Sequence, residues 1–146
     1  MDRQKLLELW NDQMKEGNWV PSWPDSLASL TVEEALFTPD PPCHCIWQEV
    51  VHVIFWRGVT LTRMAGGDQP SDEEVEAREF ALPETPDADA WKNTLAALQA
   101  SHDALAAAIA DEFKDIERIP YHLIHDAYHL GRVTQLRAMQ GTAPKF

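Results

Sequence analysis

Residues 43–64 read CHCIWQEVVHVIFWRGVTLTRM, and whether this segment is helix or strand decides the fold. Its β-branched residues, Val50, Val51, Val53 and Ile54 among them, would suit a strand. The run is far longer than a strand, however, and its apolar residues do not alternate with polar ones. It is therefore predicted as one long helix, ended by Gly66-Gly67. From Val50 to Trp56 it is apolar almost all round, which is the mark of the most buried helix of a bundle. His52 stands in the middle of that stretch.

On the N-terminal side, Pro39, Pro41 and Pro42 keep this helix apart from a short one that runs through Leu36, opened by the capping box Thr31-Val32-Glu33-Glu34. Residues 18–30, with Pro21, Pro24 and two tryptophans, read as an irregular connection that packs. Before it, Leu6, Leu7, Leu9, Trp10 and Met14 mark the apolar side of a first helix from about Asp2 to Glu16, capped by Asp2 and stopped by Gly17. On the C-terminal side, residues 68–88 are acidic and rich in proline, with a second capping box, Ser71-Asp72-Glu73-Glu74, on a short helix. Long connections of this kind in a compact domain often lie over a site.

Asp87 to about Phe113 is a third long helix, rich in alanine, with Trp91, Leu95, Leu98, His102, Leu105 and Ile109 on its apolar stripe. Pro120 sits in the first turn of a last helix that runs to about Gln140, with Gly141 after it. Four long helices around one core make an all-α four-helix bundle, with short extra helices in the connections and a single domain over residues 1–146.

The bulk numbers exclude several functions. A chain of 146 residues is one ordinary domain, and 45% hydrophobic with 25% charged residues is a globular balance. A net charge of −12 argues against nucleic acid, whose binding requires a basic face that releases counterions. The same charge is repelled by an anionic membrane surface, and no apolar run reaches membrane-spanning length. Cys43 and Cys45 are too close together to staple a fold, which suits a reducing compartment. The N-terminus opens in amphipathic sequence without a signal peptide, so the expected setting is the cytoplasm.

The chemistry begins in the last helix. His125 and His129 lie four residues apart and project from one face, so both can bind one metal ion. A mononuclear site needs a third ligand, and after His129 the chain has no His, Cys, Asp or Glu. His52 is the best upstream candidate, because facing helices of a bundle are where such sites are assembled. A lone buried histidine is more often a hydrogen-bonded core residue, but here a histidine pair lacks a partner. Three histidines leave a coordination position for water or substrate, the pattern of a catalytic site. His102 is the reserve: a further ligand, an acid or base, or a core residue.

His125-Asp126-x-x-His129 is similar to the zincin pattern, yet zincins need a later ligand that this chain lacks. Asp126 is instead expected as a surface charge or as a partner of a ligand. Glu49, three before His52, invites a di-iron reading, but no second Glu-x-x-His exists. Glu49 is left as a general base, a partner of a ligand or a surface salt bridge. His122, three before His125, either flanks the site or stands at the surface of the first turn, the latter being the expectation. His44 and Cys45 lie about two turns before His52 on nearly the same face, where they line a pocket mouth or pack in the ordinary way.

His44-Cys45-Ile46-Trp47-x-x-Val50-x-His52-x-x-Phe55-Trp56-Arg57, followed by His125-x-x-Tyr128-His129-x-Gly131-Arg132-x-x-x-Leu136-Arg137, resembles the DinB-like superfamily of metal-binding four-helix bundles. The resemblance covers nearly the whole chain. It implies that His52, His125 and His129 hold a divalent metal, zinc or nickel, and that the protein is a homodimer. It also implies a metal-dependent enzyme acting on a small molecule. One form is an S-transferase using a low-molecular-weight thiol such as bacillithiol or mycothiol, with the thiol bound as thiolate. The alternatives are a metal-dependent hydrolase and a non-catalytic metal-binding stress-response protein. Family members commonly have Ser at the position of Cys45 and Gln at that of Arg132. Arg132 can therefore grip an anionic substrate group, or stand solvated on the outer helix face. Glu49, His102 and Arg132 are the expected catalytic helpers.

Overall fold

Side-chain caps start most of the helices. The computed structural model describes residues 2–143, and in it the Asp2 carboxylate accepts the Lys5 N–H at 2.7 Å to open α1 (Arg3–Asp12). Ser22 caps α2 (Trp23–Leu27), and Thr31 opens α3 (Val32–Leu36) through a reciprocal box with Glu34. Cys45 precedes α4 (Ile46–Met64), Ser71 and Glu74 box α5 (Asp72–Arg78), and Asp87 caps α6 (Ala88–Ala110). Pro120 falls in the first turn of α7 (Ile119–Met139), where a missing N–H costs nothing.

Four boundaries differ from the sequence reading, each for a local reason. The chain leaves α1 at Asp12 and reaches Gly17 through turns. Gly17 has φ +80°, and a Cβ there would stand 2.0 Å from the Val20 carbonyl oxygen, so glycine is required. The connection 18–30 contains the short helix α2, signalled by Ser22-x-x-Asp25 with Pro24 in the first turn. α4 begins at Ile46, because Cys45 is extended at ψ 169°. α6 stops at Ala110, since Asp111 turns into the β region and leaves Phe113 exposed.

α4 packs between α6 and α7, and α1 closes the opposite side against the same two helices. The all-helical bundle is thus a ring of α1, α6, α4 and α7, with α2 and α3 laid against α7 and α4. One apolar cluster joins Trp23, Trp47, Trp91, Val50, Val53 and Leu130; a second joins Leu6, Trp10, Leu105, Ile109 and Ile119. Each large side chain so buried contributes about 1.5–3 kcal/mol. Two of the buried tryptophan N–H groups are satisfied inside: Trp10 donates to the His102 carbonyl at 3.0 Å, and Trp47 to Thr94 Oγ1 at 2.9 Å, while that of Trp23 has no partner among the described residues. Arg137 ties α7 to the α2–α3 link, donating to the carbonyls of Ser26 at 2.8 Å and Ala28 at 3.0 Å. Among the described residues no helix is long and apolar enough to cross a membrane.

Against this apolar background stands a buried polar group on the inward faces of α4, α6 and α7: Glu49, Arg57, His102, His122, Asp126 and His129. Buried charges cost several kcal/mol unless they are paired. Their pairing defines the site.

Candidate metal centre

α4 carries His52 and α7 carries His125 and His129 one turn apart, and the packing of these two helices brings the three rings together. His52 Nε2 lies 3.2 Å from His125 Nε2, and His129 Nε2 lies 3.2 Å from the same atom. Nitrogen ligands of a tetrahedral zinc, at 2.0–2.1 Å from the ion, stand about 3.3 Å apart. The spacing fits a single small cation.

The other nitrogen of each ring faces a carboxylate. His129 Nδ1 is 2.5 Å from Glu49 Oε2, His52 Nδ1 is 3.4 Å from Glu79 Oε2, and His125 Nδ1 is 3.6 Å from Asp126 Oδ1. The first is a hydrogen bond; the other two are longer, so those carboxylates act as charges. A proton held on Nδ1 leaves the lone pair on Nε2. Three lone pairs then converge, and one shared proton can bridge only a single pair of them. A cation relieves all three at once, with Glu49 fixing the tautomer of His129 by a hydrogen bond and the other two carboxylates adding negative charge behind their rings. Burial lowers the His52 pKa to about 4, with His129 and His125 adding to the effect, so this ring is neutral and able to coordinate at neutral pH.

The family model of the DinB superfamily matches residues 22–140. The chain belongs to the DinB superfamily. That superfamily is metal-binding, and the described residues supply a histidine triad able to hold an ion. No curated protein and no solved structure compared with the chain gave a match.

Around the DinB triad, the other predicted residues fall into different places. Glu49 is 1% exposed and its two oxygens are divided, Oε2 to His129 and Oε1 to Arg132 Nε at 2.7 Å. Burial alone would push its carboxyl up; the bonds from His129 and Arg132 outweigh that and hold it below the usual range. It is not a surface salt bridge. Arg132 is not a fully solvated arginine, because its Nε is committed to Glu49; its two terminal nitrogens make no hydrogen bond among the described residues. His102 is not brought to the triad. It stacks on Trp10 with ring centres 5.1 Å apart, and burial followed by the Arg57 charge lowers its pKa to about 4.

Asp126 is not a surface charge. It is fully buried and paired with Arg57, a contact that holds its carboxyl low against the effect of burial. His122 is buried too, its Nε2 2.8 Å from Thr60 Oγ1. His122, His125 and Asp126 form a second group with atoms close enough for an ion. There the Arg57 guanidinium already neutralises the one carboxylate and repels a cation, so the first group is the better site.

The connection between α4 and α6 does lie over the centre. Phe80 stacks on His52 at 4.3 Å and on His44 at 3.6 Å, and Gln48 Nε2 holds the Phe80 carbonyl at 3.3 Å. Glu79 receives the Trp56 N–H at 3.3 Å and faces His52. Sequence reasoning missed Glu79 because nothing distinguishes it from the other acids of its segment. Cys45 is buried at the start of α4, its thiol pushed up by that burial. It belongs to no metal-competent group among the described residues. On the His125 side a cleft of about 310 Å³ opens against Trp56, Thr60 and His122.

Proposed function

We propose that the protein is a metal-dependent enzyme whose His52, His125 and His129 hold one divalent cation, zinc or nickel, and that it joins a low-molecular-weight thiol, through its sulfur, to an electrophilic second substrate. The observation that carries this reading is the meeting of three Nε2 atoms with a carboxylate behind each ring. A cation so held supplies Lewis acidity, favouring the ionised form of a thiol or a water.

The protein's own residues favour the thiol. Glu49 orients His129 and is itself anchored by Arg132, so it is a positioning residue with no oxygen free to take a proton. His102 lies behind Trp10, outside the triad. A thiol with an ordinary pKa near 8.5 ionises with less help from a base than water does. Phe80 and Trp56 then keep one side of the centre apolar, and the cleft beside His125 receives the second substrate. Hydrolysis would use the same ligands but would gain from a base that these positions do not offer. The cytoplasmic setting and the homodimer belong to the same reading; Ile124 and Tyr128 supply an exposed apolar face on α7 for a second copy.

Metal analysis of protein purified without a histidine tag tests the centre. About one equivalent of zinc or nickel is expected, falling to near zero in His52→Ala, His125→Ala and His129→Ala. Unchanged metal content in all three variants would sink the proposal. Thiol consumption by the loaded protein, measured with bacillithiol or mycothiol and a panel of electrophiles, separates the transferase from a metal-binding protein without activity.

A further inference from the structure

The cleft beside His125 runs along the last turns of α4 and the first turns of α7. Its walls are largely apolar, with Trp56, Val59 and Tyr121 on them, and His125 and His122 stand at one side. Two guanidinium groups also line it, those of Arg63 and Arg118.

These two are unlike the other arginines. The chain has seven in all. Arg3 and Arg137 are spent on backbone carbonyls, Arg57 and Arg132 on Asp126 and Glu49, and Arg78 lies over the Phe55 ring. Among the described residues the side chains of Arg63 and Arg118 make no ion pair or hydrogen bond. Asp115 shares the adjoining crevice with both and pairs with neither. In a chain of net charge −12, unpaired cations have many acids to choose from. Two left over, both in a cleft that touches a triad histidine, point outward to a ligand. The amino end of α7, where Arg118 stands, adds the positive end of a helix dipole.

We infer that this cleft is the substrate arm of the centre and takes a small organic anion. A flat or aliphatic body would lie against Trp56, Val59 and Tyr121, and a carboxylate or phosphate would be gripped by Arg63 and Arg118. Guanidinium groups match either headgroup through paired N–H donors. The volume, about 310 Å³, is at the small end of ligand pockets, which suits a small molecule. The assignment of this cleft as a substrate arm rests on the triad being a metal centre; the preference of the arginine pair for anions does not.

Calorimetric titration with phenylacetate, phenyl phosphate and the neutral phenylacetamide tests it, on the protein as purified and after removal of metal by a chelator. Wild-type protein is expected to bind at least one of the anions about tenfold or more tighter than the amide, a preference weakened by salt. Which anion binds tighter identifies the headgroup. The double variant Arg63→Gln/Arg118→Gln should lose the preference while keeping its helix content and its metal. Equal binding of amide and anions by the wild type would overturn the inference. So would a preference that survives in the double variant, or one that disappears when only the metal is removed, since the anion would then be held by the ion. If the wild type takes up no metal at all, the centre fails separately, and the tenfold preference is still read on the same protein.

Discussion

The interior holds two layers of histidine, and their geometry separates them. In one layer His52, His125 and His129 turn their Nε2 atoms toward a common point and present Nδ1 to Glu79, Asp126 and Glu49. In the other, His102 lies flat on Trp10, and His122 points its Nε2 at Thr60. Burial is no greater in the first layer: His102 is 3% exposed and His129 4%. What makes a metal site is convergence with a negative charge behind each ring. A buried histidine without these is a polar piece of packing.

The largest expected effect falls where the two layers meet, at Asp126, which faces His125 and pairs with Arg57. Among the described residues Asp126 is the one carboxylate paired with Arg57, which otherwise donates only to the Leu98 carbonyl and Ser101 Oγ, and both side chains of the pair are fully buried. Asp126→Ala strands the guanidinium against Trp10, whose ring lies 4.8 Å from it. Loss of about 3–5 kcal/mol of stability is expected. Urea unfolding of the metal-free proteins measures it, with His52→Ala as the comparison. If both substitutions cost the same, the two layers are not the different structures described above.

The next effect sharpens the first layer. Glu49→Gln keeps the shape but removes the charge behind His129 and frees Arg132, while His129 remains in place. Metal affinity should fall by about 10–100-fold, the usual result of losing an acid that orients a ligand. His102→Phe should leave affinity within a few-fold of wild type. Competition with a chromophoric chelator reads both variants, and the reverse ranking would move the centre toward His102.

Much of this was legible beforehand, and the limits have physical reasons. The four long helices follow from apolar periodicity, and three of the caps, Asp2, Thr31 and Ser71, follow from side-chain chemistry within four residues. The histidine pair on α7 is equally local, because four residues of helix return a side chain to the same face. The sequence reading leaves Asp126 between the surface and a place behind a ligand, and sets His122 at the surface or beside the site. Only the packing of α4 shows that Arg57 and Thr60 wait for them inside. Arg63 and Arg118 are 55 residues apart, and nothing local to either one shows that they share a cleft. Long-range pairing between charges is what a single sequence conceals.

The smallest effect is a slope with pH, and it belongs to the second layer. Burial, then the charge of Arg57, brings the His102 pKa to about 4 in the folded protein, while an unfolded histidine titrates near 6.5. Between these values the unfolded chain takes up a proton that the folded one refuses. Stability therefore falls as pH drops from about 6.5 toward 4 and is fully present above that window. His102 is buried, so a loss on the order of 1–2 kcal/mol across the window is expected from this residue. His102→Phe keeps a ring against Trp10 and cannot titrate, so its unfolding free energy should change less between pH 7 and pH 4.5 than that of the wild type. The comparison is made without metal, because proton competition at the triad would add a slope of its own. Equal slopes in the two proteins would mean that His102 is charged inside the bundle, and the contrast between a titrating packing layer and a coordinating one would have to be redrawn.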